Sequence, residues 1–300
     1  MKTKVTETKF KSPLDLTCHL ISRAVCLGAV ILICSSALAH NLFVSGDDAS
    51  GGKIFEFKPN GVQSTFASGL HQPAGLAFDG AGNLFVADQG NNAIGSIIYK
   101  FNPDGVRTIF AFGLTYPEGL AFDRAGNLFV TDEGSGNIFE FKPNGARSIF
   151  ASGLTHPVGL AFNSVGNLFV ADEGSIFEFQ PNGAQSRFGS VFCDATGLAF
   201  DSAGNLFAAD NCGGLLGSRI FKFKPNGAQT IFAGLGEIYF YGLAFDSAGN
   251  LFVAGDYESG TIFEFQPNGV RSIFASGLNE SFSFLAFQPT SSTSDTTSAP

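Results

Sequence analysis

The sequence predicts an all-β protein, a six-bladed β-propeller of four-stranded antiparallel blades, and three observations support this. A phrase close to Gly-Asn-Leu-Phe-Val recurs with its Asn at positions 41, 83, 127, 167, 205 and 250. A second phrase, Gly-Leu-Ala-Phe, begins at positions 75, 119, 159, 197 and 242, with a degenerate sixth copy at 284–287. The composition, with 38 Gly, 35 Phe and no Trp, is that of one copied segment. A period of about 40 residues indicates a repeat architecture, and six copies give six blades.

Each repeat unit has four strand-like segments separated by turn residues. In the first full copy these segments are Gly75–Phe78, Leu84–Ala87, Ile97–Phe101 and Thr108–Phe110. Asp-x-Ala-Gly-Asn between the first two segments and Pro-Asn-Gly or Pro-Asp-Gly between the last two are typical of hairpin loops. Each unit is therefore predicted to be a four-stranded antiparallel meander.

The two ends of the repeat array predict how the ring closes. Strands such as Leu84–Ala87 are apolar on both faces, so each sheet needs covering on both sides, which stacking around an axis provides. The small residues of Gly-Leu-Ala-Phe suit the crowded strand nearest the axis. The array begins with a second strand, Asn41–Val44, and ends with a first strand, Phe284–Phe287. We expect these to pair within one blade, since a linear solenoid, the alternative, would leave both unpaired.

The two termini differ from the repeats. Residues 1–39 contain five basic residues, an apolar stretch from Ala24 to Ile33 and an Ala-Leu-Ala sequence, which together predict a signal peptide cleaved after Ala39. An uncleaved N-terminal anchor is the alternative. Residues 289–300 are rich in Ser and Thr and are predicted to be disordered. The propeller thus spans residues 40–288, and we expect it to be secreted or periplasmic.

Charge restricts the partners of the mature chain. The full chain has 17 Lys+Arg and 26 Asp+Glu, and loss of residues 1–39 removes five basic and two acidic residues, which leaves a formal charge of −12. Such a surface repels phosphate backbones, so we expect no nucleic-acid partner. No apolar run is long enough to span a bilayer after cleavage, so we expect no membrane span. Cationic ligands, metal ions and basic partners are compatible with this charge.

The repeat unit resembles the NHL repeat over about residues 40–288. The unit reads Pro-x-Gly-Leu-Ala-Phe-Asp-x-Ala-Gly-Asn-Leu-Phe-Val-Ala-Asp-x-Gly followed by Ile-Phe-Glu-Phe-x-Pro-Asn-Gly, and its cleanest copy begins at Pro117. The related superfamily of six-bladed proteins similar to SMP-30 and gluconolactonase includes metal-dependent lactonases. The resemblance implies the fold; it does not separate a binding scaffold from an enzyme.

The resemblance also suggests where a metal would bind. In lactonase-like enzymes, carboxylate and amide ligands for a divalent cation occupy the x of Pro-x-Gly in several blades. Of the six equivalent positions here only Glu118 is a carboxylate, and a hard divalent cation takes several oxygen ligands. Glu118 is therefore the candidate ligand for calcium or zinc. The six positions are Ala74, Glu118, Val158, Thr196, Tyr241 and Ser283.

Other residues near the same end of the channel are candidates for binding. His71 and His156 lie in loops that enter inner strands, where they could join Glu118 in zinc binding or acid–base chemistry, or simply pack beside the loop proline. Tyr241 follows an aromatic and acidic loop, 237–240, that replaces the usual proline-containing loop of blade six. The candidate ligand-binding set is Glu118, Thr196, Tyr241, His71 and His156.

A recurring Asp ends the second strand of four blades, at Asp88, Asp132, Asp172 and Asp210. Its recurrence favours a structural role, in which the carboxylate caps backbone N–H groups. An acidic ring that collects cations is the alternative.

The cysteines predict one disulfide in the exported domain, between Cys193 and Cys212. Removal of residues 1–39 leaves only these two cysteines. If the hairpin turns through 201–204, Phe200 lies opposite Asn205 and paired residue numbers sum to 405, as do 193 and 212. Direct cross-strand neighbours lie about 4.5 to 5.5 Å apart at Cα, which a disulfide can bridge.

These observations give two interpretations of function. The leading one is a monomeric binding or interaction scaffold whose ligand, a small molecule, a sugar or a protein, lies at the channel mouth near Glu118, Thr196 and Tyr241. The alternative is a lactonase-like hydrolase or a streptogramin-lyase-like lyase that uses calcium or zinc near Glu118. No nucleophile elbow, phosphate loop or HExxH signature occurs in the sequence.

Overall fold

Six four-stranded antiparallel sheets form the blades of a closed ring in the computed structural model, as predicted. The structure describes residues 40–48, 50–90, 95–190, 192–212, 217–234, 236, 238–256, 260–276 and 281–289. The predicted signal peptide and the tail beyond residue 289 lie outside these ranges. Among the described residues, no helix has the length and apolar character needed to cross a membrane.

The strands follow the repeats. In chain order they are β1 (Leu42–Asp48), β2 (Gly51–Phe57), β3 (Gln63–Leu70), β4 (Pro73–Phe78), β5 (Leu84–Asp88), β6 (Ser96–Phe101), β7 (Arg107–Leu114), β8 (Pro117–Phe122), β9 (Leu128–Asp132), β10 (Asn137–Phe141), β11 (Arg147–Ser152), β12 (Pro157–Phe162), β13 (Leu168–Asp172), β14 (Ser175–Phe179), β15 (Gln185–Ser190), β16 (Ala195–Phe200), β17 (Leu206–Asp210), β18 (Arg219–Phe223), β19 (Gln229–Gly234), β20 (Tyr239–Phe245), β21 (Leu251–Asp256), β22 (Thr261–Phe265), β23 (Arg271–Ser276) and β24 (Ser281–Phe287). A short 3₁₀ turn, Glu133–Ser135, follows β9.

Ring closure occurs as the sequence predicts. Blade one has the strand order β24-β1-β2-β3, whereas blades two to six each contain four consecutive strands. Leu42 pairs with Phe287, Phe43 with Ala286 and Val44 with Leu285. The first strand of each blade packs against the first strand of the next, and β24 packs against β4, so these strands surround the axis.

Glycine permits this close packing at the axis. A Cβ added to Gly75 would collide with the carbonyl oxygen of Glu118 in the next blade, and one added to Gly197 would collide with that of Tyr241. The first position of Gly-Leu-Ala-Phe is thus restricted by backbone from the neighbouring blade.

Phenylalanine fills the space between blades. Phe85 on β5 contacts Phe110 of its own blade and Phe122 of the next, with ring centroids 5.0 Å apart and edge-to-face geometry. The equivalent second-strand Phe of every blade repeats both contacts at 4.9 to 5.2 Å. Such pairs stabilise by about 0.5–1.5 kcal/mol beyond area burial, which accounts for the abundance of Phe.

Candidate functional site

A cavity of about 580 Å³ lies where the first strands of all six blades begin. We call it the mouth cavity. Its base is formed by the x residue of each Pro-x-Gly phrase and its degenerate equivalents, which we call the entrance ring: Ala74, Glu118, Val158, Thr196, Tyr241 and Ser283.

A bulge presents the entrance ring to the channel. In blade three the pairing of β8 with β9 shifts between Pro117 and Leu120, so Glu118 and Gly119 lie in the irregular segment. Blades two, four and five have the same shift. Bulges redirect side chains and are frequent beside functional sites. Glu118 accordingly lines the cavity.

A second ring above the first was missed by the sequence analysis. Asp47, Gln89, Glu133 and Glu173 occupy equivalent positions at the mouth end of the second strand, and all four line the mouth cavity. Asp47 lies within β1, whereas the other three directly follow β5, β9 and β13. We call them the loop ring. Their sequence signal is the x of Asp-x-Gly in blades two to four, and its counterpart in blade one is the Asp47 of Gly-Asp-Asp. This signal is weak because an acidic or amide residue recurs at the position, and folding alone can account for a recurring residue.

Among the residues that line the cavity, Glu118 has the most strongly shifted pKa. Burial and the nearby charge of Glu133 raise the pKa of its carboxyl to about 7, although a hydrogen bond from Gln89 Nε2 favours the ionised form. Glu118 is therefore poised between its acid and carboxylate forms near neutral pH. Such a group is suited to proton exchange or to pH-dependent recognition of a cation.

His156 lies at the edge of the cavity and pairs with Glu133. Its Nδ1 is 2.7 Å from Glu133 Oε1, and this hydrogen bond raises the pKa of the exposed imidazole. Asp194 also lines the cavity, and its pKa is raised by burial and by the charge of Asp210. The cavity therefore has five carboxylates and one imidazole.

His71 is separate from the other candidate residues. It lines an adjoining depression with Gln72 and Gln89 and is absent from the lining of the mouth cavity. The reason is its loop position: His71 lies two residues before Pro73, whereas His156 lies immediately before Pro157. Glu118, Thr196, Tyr241 and His156 thus share one cavity, and their role in ligand binding remains a prediction.

The recurring Asp residues cap the loops that enter the first strands. Asp172 accepts hydrogen bonds from the backbone N–H groups of Thr155 and His156 at 2.9 and 2.6 Å. Asp88, Asp132 and Asp210 accept equivalent bonds in their blades. The predicted capping role is correct.

The predicted disulfide is present. Cys193 and Cys212 are bonded, with their Cα atoms 5.2 Å apart. The register from which we derived it was wrong at the hairpin, where Phe200 pairs with Leu206 rather than with Asn205. The bulge shifts the pairing by one residue, so that Ala195 lies opposite Asp210 and the predicted sum of 405 holds near the cysteines.

The mouth does not fit a preformed calcium or zinc site. Within the described part of the chain, one group of three metal-ligating side chains has its ligand atoms within 4.8 Å of one another: Cys193, Asp210 and Cys212. Its cysteines are joined in the disulfide and supply no thiolates. Neither Glu118 with the two histidines nor the loop-ring carboxylates form such a group, so the structure does not gather the metal ligands suggested for Glu118.

The fold and cavity define a six-bladed β-propeller with a ligand-sized, acidic mouth. Neither a protein-family model nor a curated protein matches the sequence significantly. Solved structures match the fold. A gluconolactonase from Xanthomonas campestris matches with a TM-score of 0.61 and 16% identity over 78% of this chain and 87% of that one.

Two further structures match at lower scores. Virginiamycin B lyase from Staphylococcus aureus gives a TM-score of 0.56 and 15% identity over 72% of this chain and 77% of that one. A calcium-binding protein, regucalcin, from Agrobacterium tumefaciens gives a TM-score of 0.55 and 14% identity over 66% of this chain and 73% of that one. At these identities the likeness shows the shared propeller fold alone.

Proposed function

We propose that the chain is an exported propeller that binds a small organic cation in the mouth cavity. The observation that carries this proposal is the lining: five carboxylates, those of Asp47, Glu118, Glu133, Glu173 and Asp194, surround one cavity. No Lys or Arg lines it within the described residues. Carboxylates that share a concave site focus a negative potential and attract cations.

The size and walls of the cavity favour an organic cation over a bare metal ion. A volume of about 580 Å³ lies within the range of small-molecule sites. Tyr241 and Phe284 contribute aromatic surface next to the carboxylates, and aromatic faces attract ammonium groups. The expected export is supported by the disulfide, because disulfides persist in oxidising compartments.

Thermal shifts with matched pairs of compounds test the proposal. Choline and benzylamine are cations, and 3,3-dimethylbutan-1-ol and benzyl alcohol are their neutral counterparts. We expect the cations to raise the melting temperature of the wild type but not of a Glu118→Gln/Glu133→Gln double variant. Asp104→Asn, which removes an exposed charge at the opposite end of blade two, should respond as the wild type does. No response to either cation, or equal responses to the neutral compounds, would contradict the proposal.

A second candidate is a lactonase-like hydrolase or a lyase that uses Glu118 for proton transfer. The pKa of about 7 for Glu118 favours it, because general acid–base groups work best near the operating pH. The His156–Glu133 pair would supply a second proton-transfer group. One equivalent of tightly held calcium or zinc in the purified protein would support the metal-dependent form of this alternative.

A further inference from the structure

The disulfide lies beside the mouth cavity on a loop that differs from its counterparts. Cys193 takes the place of His71, Thr115 and Thr155 in other blades, and Cys212 takes the place of a glycine. Asp210 still accepts bonds from the Cys193 and Asp194 N–H groups at 2.7 and 3.1 Å. The cross-link is therefore added to a loop that already has the usual cap.

The two sulfurs have unequal surroundings. Cys193 is exposed, whereas Cys212 is only 1% exposed. A guanidinium nitrogen of Arg219, Nη2, lies 3.5 Å from Cys212 Sγ. Cys193 is thus the sulfur that a dissolved thiol can reach, and Cys212 is the one with a cation beside it.

Arg219 is an unusual neighbour for a disulfide. Its buried Nε has no hydrogen-bond partner, and the described residues provide no carboxylate within ion-pair distance of it. Its guanidinium lies 5.5 Å from the Phe221 ring centroid. Arg219 is half-buried, and Asp210 is its partner in the pairing of β17 with β18. A guanidinium beside a sulfur stabilises the thiolate form of that sulfur, so Arg219 favours a thiolate on Cys212. The Asp210 carboxylate, 3.4 Å from Cys212 Sγ, opposes that charge but already accepts two N–H bonds.

We propose that Cys193–Cys212 is a thiol-reactive disulfide whose opening controls the mouth cavity. A thiolate attacks Cys193 Sγ, the Cys193–Cys212 bond breaks, and its electron pair remains on Cys212 Sγ as a thiolate beside Arg219. This leaves a mixed disulfide at Cys193. A second thiol then attacks the mixed disulfide, so that two thiols are oxidised to one external disulfide and both cysteines are reduced. The guanidinium of Arg219 stabilises the leaving thiolate and so accelerates the first step.

The residues next to the disulfide connect it to the cavity. Asp194 follows Cys193 and lines the cavity directly. Asn211 precedes Cys212, is buried, and bonds both the N–H and the C=O of Phe240 at 2.7 Å. Thr196 Oγ1 bonds the same Phe240 oxygen at 2.8 Å. Opening the disulfide loosens the wall made by Asp194, Thr196 and Tyr241. This control of ligand binding rests on the proposed function, whereas the thiol reactivity does not.

Reaction of the oxidised full chain with glutathione in native buffer, with alkylation and peptide mass spectrometry, tests the chemistry. We expect a glutathione adduct on Cys193 and a free Cys212, formed faster than global unfolding. Arg219→Gln should slow the reaction by roughly tenfold. Arg219→Lys, which keeps the charge, should restore most of the rate. Arg271→Gln, which removes an arginine placed over Phe263 in blade six, should leave the rate unchanged.

Three results would overturn the chemical claim: adduct formation only on unfolding, an adduct on Cys212, or an unchanged rate in Arg219→Gln. The coupling is tested by repeating the choline thermal shift on protein reduced with dithiothreitol. We expect the shift to fall at least about threefold, and an equal shift in the reduced protein would overturn the coupling. If choline fails to shift the oxidised protein, the proposed function falls, whereas the adduct measurements still decide the thiol chemistry.

Discussion

At the scale of the residue, two opposing effects act on the pKa of the Glu118 carboxyl. Its carboxyl is partly buried at the base of the mouth cavity, which disfavours the anion, yet Gln89 donates a hydrogen bond that stabilises the anion. Glu133 adds a like charge nearby, so the pKa lies near 7. A cation in the cavity would favour the ionised form, and affinity for it should rise with pH through this range.

The ionisation of Glu118 should lower stability at neutral pH. Its pKa rises from 4.5 to about 7 on folding, so the folded state holds the proton more tightly and loses up to about 3 kcal/mol as pH rises from below 4.5 to above 7. Glu118→Gln cannot ionise. We expect its melting temperature to match that of the wild type near pH 4 and to exceed it by several degrees at pH 8.

Melting curves of wild type and Glu118→Gln between pH 4 and pH 8 measure this difference. Asp104→Asn serves as the control, because an exposed carboxylate should give a difference that varies little with pH. A difference between Glu118→Gln and the wild type that stays constant with pH would show that the carboxyl is not perturbed.

At the scale of the element, the capped loop between blades positions the site. Each loop runs from the fourth strand of one blade to the first strand of the next, and in blades two to five an Asp from the second strand holds it. The repeat made this capping predictable, because an Asp at one position in four blades has a folding role. The bulge was not predictable, because the Pro-x-Gly phrase reads as a regular strand start. The bulge determines the orientation of Glu118 in blade three and the register near Cys193 in blade five.

Asp172→Ala should release the loop that carries His156. The variant loses two hydrogen bonds from backbone N–H groups to a buried carboxylate, and we expect a loss of roughly 2 to 4 kcal/mol. Urea unfolding gives the free energy, and hydrogen exchange should show faster exchange at the amides of Thr155 and His156. Asp104→Ala is the exposed control. Unchanged exchange at both amides would indicate that the loop is held by other contacts.

At the scale of the whole molecule, the pairing of β24 with β1 closes the ring of six blades. The order of the repeat phrases made this predictable, because only a pairing of β24 with β1 completes six blades. The assembly of the cavity was predictable only in part. The entrance ring follows from one repeat position, but the loop ring lies above it because the second strand of each blade ends at the same mouth where the first strand begins.

Deletion of residues 282–300 should open the ring. It removes the partner of β1, including buried Leu285, and the ring contact between Phe252 and Phe287 at 5.0 Å. The exposed edge of β1 and the uncovered apolar face of blade six should promote aggregation. The lost packing is worth at least about 4 kcal/mol, or a fall of about 10 °C or more in melting temperature.

Deletion of 290–300 alone is the control and should leave both the melting temperature and the monomeric state unchanged. Light scattering with thermal melting distinguishes the two, and a monomeric 282–300 deletion with the wild-type melting temperature would contradict closure by β24.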